Sequence, residues 1–112
     1  MMEVIKTGEV REFKQGGTVK KTVSAGGQLA VNLFFIDSGG SVPLHRHADT
    51  EEVFYIIDGG ATFTLGEEAR TVTAGDIIHV PQEQWHGVRN DSGNPLTFLT
   101  TLKAGAHYEA KT

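Results

Sequence analysis

Cysteine is absent from the 112-residue chain, which excludes disulfides, thiolate metal sites and a cysteine nucleophile, so any metal must be held by His, Asp or Glu. Basic charge is also scarce: Lys and Arg number 10 against 14 Asp and Glu, a net charge of -4, and the bases are scattered along the chain. That argues against nucleic acid as a partner. No apolar run approaches the roughly 20 residues that cross a bilayer, and Met1 to Phe13 alternates charge with single hydrophobes instead of building a signal-peptide core. A soluble, cytoplasmic protein without membrane contact is expected. Long helix-forming windows are missing as well. The length suits one domain over residues 1–112, with polar ends and a core over about 18–103.

What is present is glycine, 14 of them, set between short β-branched and apolar runs. Thr18 to Ser24 ends at Ala25-Gly26-Gly27, Leu29 to Ile36 is long enough for a buried strand, and Asp37 to Ser41 breaks it. Glu52 to Ile57 and Ala61 to Leu65 flank the hairpin signal Asp58-Gly59-Gly60, followed by Arg70 to Thr73, Ile77 to Val80, Trp85 to Asn90 and Leu96 to Leu102. Evenly spaced short strands of this kind predict an all-β jelly roll or small barrel. A short N-terminal strand at Met2 to Lys6 or Val10 to Phe13 is expected to pair with a second copy, and Ala104 to Thr112 to lie loosely on the surface.

Chemistry concentrates in Pro43-Leu44-His45-Arg46-His47-Ala48-Asp49-Thr50-Glu51-Glu52. Side chains two apart on a strand share a face, so His45 and His47 project together and Arg46 points away. Glu52 is in phase with Phe54 and Ile56, which puts its carboxylate on the buried side, whereas Glu51 faces the opposite way. A carboxylate buried on an apolar face calls for a partner, and a divalent cation is one of the few that suffice. His86, in phase with Val88 and Asn90, offers a third imidazole. Three neutral His and one carboxylate suit Fe, Mn, Co, Ni, Cu or Zn and not Mg or Ca. His79 is out of step with its neighbours and reads as exposed or supporting, His107 as uninvolved, and Asn90 as a strand-end residue. Phe34, Phe35, Phe54, Phe63 and Phe98 read first as core. Phe54 and Phe63, with Trp85 beside a ligand, are the aromatic residues assigned to the substrate pocket.

In this register the chain resembles the cupin superfamily. Gly39, His45-Arg46-His47, Glu52 and Gly59, separated by five, four and six residues, match the first family motif. Gly75, Pro81, His86 and Asn90 match the second, 15 residues further on, and Glu83 stands where the family usually has Gly. The resemblance implies a double-stranded β-helix, turn roles for Gly39, Gly59, Gly75 and Pro81, and one divalent transition metal ion on His45, His47, Glu52 and His86. It also implies a homodimer. The family includes dioxygenases, isomerases, lyases, decarboxylases and non-catalytic binders, so the fold alone names no reaction. The expected function is a metal-dependent enzyme with dioxygenase- or isomerase-like chemistry on a small neutral or aromatic oxygen-bearing substrate, with Glu52 as proton shuttle. The alternative is a non-catalytic metal-dependent module that captures a small molecule. Phosphosugars are disfavoured because Arg46 and Arg89 are out of phase and no Lys is near either motif. Members acting on unsaturated uronates rely on an acid that Leu96 to Leu102 lacks, and lyases for sulfonium substrates on a tyrosine whose counterpart, Tyr55, is out of phase.

Overall fold

Short β-branched runs cut by glycine-containing turns become strands in the computed structural model, which describes residues 2–112; Met1 lies outside them. These are β1 (Thr18–Ala25), β2 (Leu29–Ile36), β3 (Ser41–Arg46), β4 (Glu52–Asp58), β5 (Gly60–Leu65), β6 (Glu68–Thr73), β7 (Ile77–Val80), β8 (His86–Arg89), β9 (Leu96–Lys103) and β10 (Glu109–Ala110). They form two five-stranded sheets, ordered β1-β2-β9-β4-β7 and β10-β3-β8-β5-β6. Every pairing is antiparallel. Strand β9 returns from the far end of the chain to lie between β2 and β4, and β8 likewise enters between β3 and β5. The all-β double-sheet architecture is the one expected.

Alternation along the strands fills the space between the sheets. Ile36, Phe54, Ile56, Leu96 and Phe98 from the first sheet meet Ala61, Phe63, Val72 and Val88 from the second, all buried. The Phe54 ring packs edge-on to Phe63 at 4.9 Å and beside Phe98 at 5.4 Å. The tip of the first motif is held by Gly59, whose φ of 87° is open to glycine, and where a Cβ would sit 2.3 Å from the Pro95 carbonyl oxygen.

The two termini differ from expectation. Residues 2–6 form no strand, Thr7–Val10 is a single helical turn termed α1, and the N-terminal segment lies on the outer face of the first sheet. There Phe13 meets Phe35 edge-on at 5.6 Å, and Ile5 shares a small cavity with Leu33 and Leu99. This is why β2 is apolar on both faces: Phe34 and Ile36 point between the sheets while Leu33 and Phe35 are covered from outside. The C-terminus is no loose tail either, because β10 pairs with β3 through Glu109↔Arg46 and Ala110↔His45.

Candidate metal centre

Strand phase carries the four chemical residues inward. Strand β3 is irregular between Val42, which packs on the core, and His45, and this irregularity turns His45 inward opposite His86, the first residue of β8, in the same sheet. His47 follows directly on β3, and Glu52 opens β4 in the facing sheet, between Val80 and Leu102. All four are buried, with exposures of 5%, 8%, 5% and 0% for His45, His47, Glu52 and His86. Their ligating atoms lie within 4.8 Å of one another.

Hydrogen bonding sets the orientation of each ring. Nδ1–H donates to a main-chain carbonyl in all three histidines: His45 to Pro43 at 2.8 Å, His47 to His107 at 2.9 Å, His86 to Gln84 at 2.9 Å. With Nδ1 protonated, each neutral ring turns its Nε2 lone pair inward. Those of His47 and His86 come within 3.3 and 3.0 Å of the same Glu52 oxygen. Lone pairs and a carboxylate converging on one point repel unless something positive lies between them. Two donors each about 2.1 Å from a shared ion stand about 3.0 Å apart at a right angle and about 3.4 Å apart at the tetrahedral angle. The donor set therefore fits a transition metal ion, and His45, His47, Glu52 and His86 could hold one.

Electrostatics point the same way. Burial, the largest influence on His45, pushes its pKa from 6.5 down to about 4, so that ring is neutral at pH 7. Contact with Glu52 leads in raising the pKa of His47, favouring a cation at its Nε2. Burial works to raise the Glu52 carboxyl, but the approach of His47 and His86 outweighs it and holds the group at about 2. Glu52 is thus ionised and could serve as an anionic ligand.

A cavity of about 330 Å3 opens onto His45, His47 and Glu52, and its wall includes Lys20, Asn32 and Tyr108. His86 stands behind, its ring 5.7 Å from that of Phe54. A larger cavity of about 460 Å3 lies between β6 and β7 and includes Phe63 and His79, but none of the four ligands.

Several sequence expectations need correction. Trp85, in the turn just before β8, is not on the wall of the cavity that holds His45, His47 and Glu52; its ring lies 4.5 Å from the guanidinium of Arg46, on the other side of the strand from those ligand candidates. Phe63 belongs to the core behind Phe54 and to the distant cavity, while Phe54 backs the site as the partner of His86. His107 is involved, through the carbonyl that orients His47, and Tyr108 stacks on His45 at 5.1 Å. The lysine missing near the motifs is supplied by β1 as Lys20. As expected, His79 is exposed, and it pairs with Glu51 at 2.5 Å away from the cavity that holds His45, His47 and Glu52. Asn90 is the strand-end turn residue expected, donating to the carbonyls of Ile36 and Asn94. Glu83, in the family's usual glycine position, keeps a left-handed φ of 70° and donates its N–H to the His47 carbonyl.

Comparison with known proteins places this geometry. An uncharacterized protein of Methanocaldococcus jannaschii is 27% identical over 106 residues, covering 88% of this chain and 85% of its own. Quercetin 2,3-dioxygenase of Bacillus subtilis is 31% identical over 92% of this chain, which spans only 32% of that enzyme. An uncharacterized conserved protein with a double-stranded β-helix domain from Klebsiella pneumoniae superposes with a TM-score of 0.91 over the full length of both chains at 20% identity, a likeness of fold. The cupin domain family matches residues 32–102, the stretch that contains His45, His47, Glu52 and His86, and the chain therefore belongs to the cupin family.

Proposed function

We propose that the protein is a small metal-dependent enzyme of dioxygenase- or isomerase-like chemistry, acting on a small oxygen-bearing substrate in the 330 Å3 cavity. The observation that carries this reading is the commitment of all three Nδ1–H groups to main-chain carbonyls, which leaves three Nε2 atoms and an ionised Glu52 aimed at one buried point. A divalent transition ion there would supply Lewis-acid polarisation of a carbonyl or enediol oxygen, or a redox centre for dioxygen chemistry.

The chain's own residues define the rest. His45, His47 and Glu52 face the cavity, where Phe34, Val42 and Leu102 keep part of the wall apolar. Glu52, on the cavity wall, would double as a proton shuttle when it loosens from the ion. The relation to quercetin 2,3-dioxygenase supports dioxygenase-like chemistry.

The test is elemental analysis of protein purified without a metal-affinity tag, followed by an oxygen-uptake and product screen with the ion found. About one transition ion per chain with ion-dependent turnover is expected. Protein that carries and takes up no ion would overturn the reading, and ligand capture without turnover across the screen would select the non-catalytic binding module.

A further inference from the structure

Lys20 is a solvent-exposed basic residue on the inward-facing row of an edge strand, where it lines the cavity beside the candidate metal group. Its β1 position pairs with Phe34 of β2, whose ring stacks on Phe98 between the sheets, so Lys20 shares that inward face. The ammonium lies 5.9 Å from the Phe34 ring centroid and on the wall of the cavity that holds His45, His47 and Glu52. None of the ion pairs among the described residues involves it. Thr18, two residues earlier, donates to the Ser41 carbonyl at 2.8 Å and ties β1 to the opposite sheet beside the cavity.

A second donor stands on the same β1–β2 wall. Asn32 is 4% exposed and lines the cavity. Its Oδ1 accepts from Thr22 at 2.7 Å, while its Nδ2 has one long contact, 3.4 Å to Thr100 Oγ1. An amide nitrogen carries two hydrogens, so one remains uncommitted. Among the described residues the only carboxylate on the cavity wall is Glu52, one of the four candidate ligands. A divalent ion on one carboxylate is still net positive, and Lys20 adds a second positive centre. The cavity therefore favours an anion.

We propose that it binds a small planar carboxylate whose anionic group is taken by Lys20 and the free Asn32 N–H, with its apolar body against Phe34 and a second oxygen toward His45, His47 and Glu52. The second oxygen and the net positive charge of the whole cavity rest on the metal-enzyme reading; the local capture of the anionic end stands on Lys20 and Asn32. An inward lysine on an edge strand also has another use, blocking unwanted strand pairing. The two uses separate experimentally.

Calorimetric titration of 2-hydroxybenzoate against uncharged 2-hydroxybenzamide, on metal-loaded and chelator-treated protein, reads the charge preference directly. Wild type should bind the acid about three- to tenfold more tightly than the amide, the scale expected of a partly exposed charge pair. In chelator-treated protein Lys20→Met should abolish that preference and Lys20→Arg should retain it, while Lys20→Met takes up metal and melts as wild type does. Equal affinity for both probes in chelator-treated wild type, or an acid preference that survives in chelator-treated Lys20→Met, overturns the proposal. Self-association of Lys20→Met in light scattering with its acid preference intact would assign Lys20 to edge protection instead. Elemental analysis of the same samples keeps the questions apart, because an acid preference that persists in metal-free protein upholds Lys20 even if the metal reading fails.

Discussion

His86 and His79 carry the same side chain in opposite settings. His86 is fully buried, anchored through Nδ1–H to the Gln84 carbonyl, with Nε2 3.0 Å from Glu52; His79 is exposed and pairs with Glu51 outside the cavity. His86→Ala should weaken metal binding by at least about tenfold, since losing a ligand costs no less than losing a residue that supports one. His79→Ala should leave metal content unchanged. Equal losses by elemental analysis would contradict the strand phases. Glu83 is the other single residue with a measurable consequence, because it occupies a left-handed backbone conformation that costs a side chain about 1–2 kcal/mol. Glu83→Gly should relieve part of that cost, offset by glycine's greater freedom in the unfolded chain, and raise the melting midpoint by about 2–4 °C. An unchanged or lower midpoint would mean that the Glu83 side chain contributes something its backbone conceals.

Among the elements, the strap formed by the last nine residues reaches the site from outside the matched motifs. Asp49 accepts the His107 N–H at 2.9 Å, the His107 carbonyl accepts from His47 Nδ1–H, and Lys111 donates to the Leu44 carbonyl at 3.0 Å. Arg46 and Glu109 close the pairing with an ion pair at 3.1 Å. A ligand that loses its orienting partner typically loses about ten- to a hundredfold in metal affinity. Truncation after Gly105 should do this by freeing the His47 ring and removing Tyr108 from His45, while β-type circular dichroism is kept. Competition against a chromophoric chelator measures it, and wild-type affinity in the truncated chain would show that β3 alone orients His47.

At the scale of the whole molecule, the ion should stabilise the fold without creating it. The aromatic core around Phe54, Phe63 and Phe98 owes nothing to the ligands. Chelator-treated protein should keep its β-type dichroism with a lower midpoint; loaded protein should gain about 2.7 kcal/mol when free ion exceeds its dissociation constant a hundredfold. Collapse to coil on chelation would contradict this. In metal-free protein, the lowered pKa of His45 means that the unfolded chain binds more protons between 6.5 and about 4, so stability falls as pH drops through that window. Glu52 adds a loss between 4.5 and about 2, whereas His47, raised by its contact with Glu52, contributes stability below 6.5 that is lost as pH rises through its folded value. Melts of chelated protein should therefore show midpoints falling below about pH 5, where His45 and Glu52 act together. Pairing of two copies is expected too, with its seat moved from the N-terminus to the outer β4–β7 face, where Tyr55 and Ile77 are cross-strand neighbours, 42% and 69% exposed. A monomer in light scattering at micromolar concentration would remove that expectation.

The period of two along a strand made the inward set legible from sequence: His45 pairs in phase with His47, Glu52 with Phe54 and Ile56, and His86 with Val88, although in β3 an irregularity between Val42 and His45 changes the row that faces the core. Phase says which side a residue takes, not which strands become neighbours. That was decided by sheet closure, which set β1 with Lys20 across from β3, brought β10 and the His107 carbonyl to His47, and placed Phe63 away from the metal cavity. These contacts join segments far apart in the chain, held by main-chain pairing that any sequence able to form strands can offer, so no local pattern announces them.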